Sequence, residues 1–421
     1  DPNAEPLARW KHHTENVGMS HLRSPEVHHL DIRSHALGHH AKTEAYLAAK
    51  QMQNDRGSGE EQDFIPPYSR PSLHLFMHHA RTMVEEAGLM RCWKLGRAAS
   101  IRPDETGYLV RLEAGERIPA RNVVLALGIG DELHWPTWAR RLKAQKTQAK
   151  LHHIFAPDFQ RKRIEPDHEV IIVGAGISAA QLALSLLEMN PDRKITIVSR
   201  HFLKKEDFDS DPGWLGPTLL ERFHGETDYA RRRSMIREAR NRGSLASEVM
   251  DHLQSAILHQ KSICWEMAEI DCVSRDSIRE RLQLQIRAFE LDDAHYHRTG
   301  AIVWKLGERG QCIEGDAIVL ATGFEAKRPG GILVDDAIQR MNLSTGSDGF
   351  PIVDRYLRWR KGLFVMGPLA ELEIGPASRN ISGARMAGER MMESPEVEES
   401  VRQTFPNVSL NPTLAATPFI S

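Results

Sequence analysis

The sequence predicts an α/β fold in which a Rossmann-like nucleotide-binding unit is inserted into a second, outer domain. Three observations carry this reading. Residues 169–200 run EVIIVGAGISAAQLALSLLEMNPDRKITIVSR: an apolar β-branched run, a glycine turn, a helix and a second strand. Two apolar runs that end in glycine flank that unit, NVVLALG at 122–128 and DAIVLATG at 316–323. The length of 421 residues leaves room for two or three domains.

Within the central unit each small residue has a task. Val170–Val173 reads as a strand buried on both faces. Gly174 permits the tight turn. Gly176 lets the backbone approach a pyrophosphate, and Ala179 lets the helix pack close to the strand. Ser178 lies at the helix N-terminus, whose free N–H groups suit phosphate. The second strand runs into Ser199, Arg200 and His201, with Lys204 and Lys205 beyond. A carboxylate there would bond a ribose 2′-hydroxyl and repel a 2′-phosphate, whereas a guanidinium grips the phosphate. The expected coenzyme is NADPH, with Arg200 as phosphate clamp and Ser199 assisting.

Composition excludes other classes. A formal net charge of −2 gives no reason to expect nucleic acid or an acidic membrane as partner. Cys92, Cys264, Cys272 and Cys312 have no CxxC spacing, so neither a zinc site nor a redox dithiol is encoded. Few cysteines and no apolar span favour the cytoplasm. Many of the 21 histidines come in adjacent pairs, such as 28–29, 78–79 and 152–153. Neighbours point in different directions, so the pairs read as surface or structural histidines and no metal is expected.

In order, 16–31 reads as a loop, 34–55 as helical and 56–67 as a polar glycine-containing loop. Residues 72–87 form an amphipathic helix capped by Ser72. Residues 90–127 read as a β-meander, and 131–164 as a crossover rather than a core element. The basic stretch YARRRSMIREARNR at 229–242 reads by default as a solvated helix face, with a supplementary phosphate-binding surface as the sharper alternative. Residues 247–260 are helical, and 264–312 alternate as strands and turns. A strand at 362–366 ends at Gly367-Pro368, and the following helix has a small face and Ser378 or Asn380 as cap. Residues 405–421 read as a loose tail.

This order resembles the two-dinucleotide-domain flavoproteins. It is most similar to the class B flavin monooxygenases, and among them to relatives of the lysine and ornithine N-hydroxylases of siderophore synthesis. The resemblance implies two Rossmann-like three-layer domains, the NADPH domain (165–315) inserted into an FAD domain (1–164 and 316–421). It implies FAD contacts from Asp1, Trp10, Met19, Gly128, Gly323, Gly367, Pro368 and Asn380. Such proteins open with a strand–GxGxxG–helix unit ending in an acidic residue. Asp1 stands where that residue would be, so the chain reads as a fragment lacking about 35 upstream residues.

The implied reaction passes a hydride from NADPH to FAD, which then activates molecular oxygen as a C4a-hydroperoxyflavin and hydroxylates a small-molecule substrate, an amine by resemblance. Two further catalytic candidates are Arg23, beside the implied flavin, and His153, in the linker before the NADPH domain. Each has a structural alternative. An NADPH-dependent flavin reductase without a dithiol and a non-catalytic flavin-binding sensor are the other readings. An oligomer is compatible with all three.

Overall fold

The four residues Val170–Val173 are buried on both faces and form the middle of the largest sheet. Ile195–Ser199 pairs parallel to them on one side, with Ile171 opposite Thr196. Ala317–Leu320 pairs parallel on the other, with Ile171 opposite Ile318. Ile263–Arg275 extends the sheet beyond Ile195–Ser199 and then turns into an antiparallel layer with Leu282–Leu291, Gln311–Gly315 and Trp304–Leu306. Parallel strands must be joined by crossovers, and the helix Ile177–Met189 supplies the first one, burying Leu182, Ala183 and Leu186 completely. These statements come from a computed structural model that describes every residue except 32, 34, 56–61, 131, 146–148, 277–280, 292–303, 308–310 and 405–421. The expected tail at 405–421 and most of the expected loop at 56–67 therefore lie outside the described residues.

Two expectations are corrected by this sheet. Leu151–His153 is a strand, parallel to Ala317–Leu320, not part of a mere crossover. Ala317–Leu320 belongs to the same sheet as Val170–Val173, so that sheet runs past both edges of the 165–315 unit. The physical reason is burial and backbone pairing: all four residues of Ala317–Leu320 are buried, as in a strand inside a sheet covered on both faces, and its backbone pairs with Leu151–His153 on one edge and Val170–Val173 on the other.

The other flanking run, Val123–Leu125, pairs parallel with Leu363–Val365 in a separate three-stranded sheet closed by Arg358–Arg360. The meander Ala98–Asp104, Gly107–Leu112, Arg117–Ala120 packs onto it, as do the helices Gly331–Met341 and Ile381–Met392. Leu363, Phe364 and Val365 are fully buried at the centre of this second core.

Four helices near the N-terminus form a third layer: Ala8–Val17, Ala36–His40, Glu44–Gln53 and Leu73–Glu86. The single helix expected over 34–55 is broken because Thr43 turns out as an N-cap, accepting from Tyr46 N–H at 3.3 Å. Ser72 caps the fourth helix as expected, accepting from Leu75 N–H at 3.1 Å. The first helix lies against Ile177–Met189. Its C-cap Gly18 has φ +71°, and a Cβ there would come within 2.3 Å of Ser185 Oγ.

All four cysteines are free and exposed. Among the described residues no group of three or more ligands is arranged for a metal, and no helix is long and apolar enough to cross a membrane.

Candidate functional site

The strands of the large parallel sheet end together at Val173, Ser199 and Leu320. The loops leaving these ends line a cavity of about 1350 Å³. Its floor is the glycine turn, with Gly174, Gly176 and Ser178 all on the wall. Gly174 has φ +139°, and a Cβ there would lie 2.5 Å from the Ala321 carbonyl oxygen. The close approach of the two chains therefore requires glycine. Ala179 is 1 % exposed and sits against the sheet. Gly174→Ala is expected to lose about 2–4 kcal/mol of stability, from backbone strain plus overpacking. Urea unfolding measures this, and a loss below about 1 kcal/mol would mean that the turn relaxes freely.

Arg200 is exposed on the cavity wall, and its side chain makes no hydrogen bond or ion pair to any described residue. Its neighbours are engaged elsewhere. Lys204 bonds Asn241 Oδ1 at 3.0 Å, and Lys205 bonds Asp251 at 2.8 Å. Ser199 Oγ donates to the His201 carbonyl and accepts from Trp265 Nε1–H, both at 2.8 Å. With its one proton donated to the His201 carbonyl, Ser199 fastens the loop that carries Arg200. The carboxylate of Asp271, also on the wall, is held by Arg287 at 2.7 Å.

Arg23 reaches into the same cavity wall, but as a pin. Nε donates to Asp207 O at 3.0 Å and Nη1 to Asp209 Oδ1 at 2.7 Å. Nη2 donates to Glu206 O, Phe208 O and Ser244 Oγ within 3.0 Å. This fork joins the N-terminal loop to the loop after Ile195–Ser199 and engages all of the guanidinium's nitrogens. His153 lies deeper than Arg23. It is fully buried, outside the cavity lining, with Nδ1 accepting from Phe155 N–H at 3.2 Å. Burial pushes its pKa from 6.5 to about 4, so it is a neutral support beneath the Thr322–Gly323 turn.

The residues expected around FAD fall in four places. Gly128 and Gly367 follow the paired strands Val123–Leu125 and Leu363–Val365, both with left-handed φ of +66° and +61°. Pro368 is buried beside Gly367. Asn380 caps Ile381–Met392 by accepting from Gly383 N–H at 2.9 Å. Gly383 packs so closely that a Cβ would meet the Ala377 carbonyl at 2.0 Å. Ser378 Oγ, just before the cap, is buried without a partner among the described residues. Gly323, φ +74°, lines the cavity at the end of Ala317–Leu320. Trp10 and Met19 sit in the helical layer, Trp10 with its ring 5.1 Å from Phe76. Asp1 lies at the exposed margin of the meander, its carboxylate accepting from Asn3 N–H at 2.8 Å.

Sequence reasoning missed how the basic stretch is used. Arg232 and Arg233 are buried, not solvated. Arg232 bonds the carbonyls of His224, Glu226 and Leu372, and Arg233 pairs with Asp348 at 2.6 Å and with Glu371. Glu371 is fully buried and also accepts from Arg379 Nε at 2.9 Å. The one available signal was the density of arginine in 229–242 beside isolated acids at 371 and 373.

Comparison with known proteins adds the following. A family model described as L-lysine 6-monooxygenase/L-ornithine 5-monooxygenase matches residues 97–326. The chain is similar in fold to an ornithine N-hydroxylase from Kutzneria sp. 744, at TM-score 0.62 and 16 % identity, over 93 % of this chain and 90 % of that one. It is similar to L-lysine 6-monooxygenase from Pseudomonas syringae, at TM-score 0.60 and 16 % identity, over 96 % and 91 %. A cadaverine monooxygenase from Erwinia amylovora gives TM-score 0.56 and 15 % identity, over 100 % and 91 %. No curated protein sequence matches.

Proposed function

Because the chain belongs to the L-lysine 6-monooxygenase/L-ornithine 5-monooxygenase family, we propose that it is an FAD- and NADPH-dependent monooxygenase that hydroxylates the nitrogen of a small primary amine. The observation that carries the coenzyme half is one cavity lined by both the glycine turn and Arg200, whose side chain has no partner among the described residues. The fit for a flavin rests on different residues. Gly128 and Gly367 leave open backbone at adjoining strand ends, and the Asn380-capped helix brings free N–H groups and the unpartnered Ser378 hydroxyl beside them. A helix N-terminus favours negative charge on a bound ring. The Kutzneria relative was solved with reduced FAD, NADP⁺ and L-ornithine, which supports a flavin, a phosphorylated nicotinamide coenzyme and an amine for this chain.

When bound, FAD would supply the oxygen chemistry and NADPH the hydride. The protein's own part is positional. Gly174 and Gly176 admit a pyrophosphate to the helix N-terminus, and Arg200 selects a 2′-phosphate. His153, neutral and buried, offers no proton to the site at physiological pH. Four exposed free thiols suit the reducing cytoplasm, where we place the reaction.

The decisive measurement is NADPH oxidation coupled to hydroxylamine formation across a panel of primary amines. Arg200→Ala is expected to weaken NADPH binding roughly 10–100-fold and leave NADH binding unchanged, since one charge-assisted contact is lost. Equal loss for both coenzymes would remove Arg200 from the 2′-phosphate, and oxidation that no amine accelerates would sink the monooxygenase assignment.

A further inference from the structure

The basic stretch does not end where its helix ends. Arg232 and Arg233 are consumed in ion pairs behind the cleft, but Arg240 and Arg242 turn into it and line the cavity. Arg240 makes one long contact, Nη1 to Pro376 O at 3.4 Å. The Arg242 side chain has no hydrogen bond or ion pair to any described residue. Arg379 stands behind both, and burial together with Arg379, Arg242 and Arg233 lowers the Arg240 pKa to about 10, although Asp209 opposes this. Burial, Arg379 and Arg237 depress Arg242 as well. The nearby carboxylates are committed: Glu371 to Arg233 and Arg379, Asp348 to Arg233, Asp209 to Arg23.

Neighbouring guanidiniums that repel one another without a counter-charge weaken a fold, and here Arg240 is half-buried while Arg242 is exposed on the cavity wall. Such an arrangement persists where a ligand offsets it. The geometry indicates where that ligand lies. Gly243 Cα would be 3.5 Å from a Cβ on Gly176, so the loop carrying Arg240 and Arg242 overhangs the glycine turn, while Arg240 touches Pro376 before the Asn380-capped helix.

We propose that Arg240 and Arg242, backed by Arg379, form a second oxyanion receptor in the cleft, separate from Arg200. It takes a carboxylate or a phosphate. Resting on the monooxygenase reading, two sources can deliver that group: the acid end of the organic substrate, or the diphosphate of the coenzyme.

The test uses the full chain and inorganic phosphate as probe, read by thermal unfolding. In a buffer free of oxyanions, Arg240→Gln/Arg242→Gln is expected to melt above the wild type, because repulsion is relieved. Phosphate is expected to raise the melting temperature of the wild type and of Arg200→Gln, and not that of the double variant. A double variant that melts lower in the absence of phosphate makes the pair structural and overturns the receptor, as does a double variant that keeps the full gain from phosphate.

Binding titrations then assign the source. A roughly 10–100-fold loss for NADP⁺ in the double variant, with 2′-AMP unchanged, assigns the receptor to the diphosphate. The same loss for L-lysine, with cadaverine and NADP⁺ unchanged, assigns it to the substrate carboxylate. No change for any of these ligands overturns the proposal. If 2′-AMP fails to bind even the wild type, the coenzyme reading fails, and the phosphate experiment still decides the receptor.

Discussion

Acidification from pH 6.5 to 4 is expected to unfold this protein cooperatively, while its melting temperature stays level between pH 7 and 8. His29, His40 and His153 are 0, 9 and 0 % exposed. Burial lowers each pKa from 6.5 to about 4, with added repulsion from His79 and Arg385 at His29, from His79 and His78 at His40, and from His134 and Lys143 at His153. Their folded pKa lies below the unfolded value, so the unfolded chain binds more protons throughout that window. Stability is complete above pH 6.5 and is lost as pH falls toward 4. One such group is worth about 3 kcal/mol at pH 4, and three together reach the order of 10 kcal/mol, comparable to the whole stability of a domain.

Asp31 does not soften this. Burial would raise its pKa, but the bonds from Arg33 outweigh that and hold it at about 2, so it stays ionised across the window. His29 offers a direct check. Both its ring nitrogens are buried without partners among the described residues. His29→Phe should therefore flatten the acid limb without loss at pH 8. A melting temperature that holds constant down to pH 4.5 would refute the account.

Glu371→Ala is expected to cost about 3–5 kcal/mol, the range for breaking a buried ion pair by removing one partner. Its carboxylate is fully buried and serves two guanidiniums, Arg233 and Arg379. Without it the two guanidiniums repel each other uncompensated, and both already lower the pKa of Arg240 nearby. Arg233 keeps Asp348, at 2.6 Å, but Arg379 keeps no carboxylate among the described residues. Asp336→Ala is the control. It removes an i,i+4 pair to Arg340 on a helix surface and should cost about 0.5 kcal/mol or less. Urea unfolding of both variants separates the cases, and equal losses would show that burial of Glu371 adds nothing.

What could be read from the sequence was what is local. The 3.6-residue and two-residue periods, the glycine spacing and the residue after the second strand lie within about thirty positions, and they place Gly174, Gly176, Ala179 and Arg200 on one cavity wall or against its sheet. The strand Leu151–His153 was not legible, because Leu-His-His has no apolar alternation and is ordered by its distant partner Ala317–Leu320. The likeness of NVVLALG to DAIVLATG does not extend to the sheets that the two runs join. Both end in a left-handed glycine, but which sheet each joins is decided by Val170–Val173 and by Leu363–Val365. The arginines at 232 and 233 read as surface residues, since their acids lie more than a hundred positions away at 348, 371 and 373. Arg23 shows the same limit, with all its acceptors between 206 and 244.

That last arrangement governs how the cleft can move. A guanidinium with four short contacts to residues 206–209 and a fifth to Ser244 behaves as a rivet, and it binds the segment around residue 23 to the loop that follows Arg200. Separating the nucleotide-binding body from the N-terminal segment would have to break this fork, so the two are coupled at the entrance to the cleft.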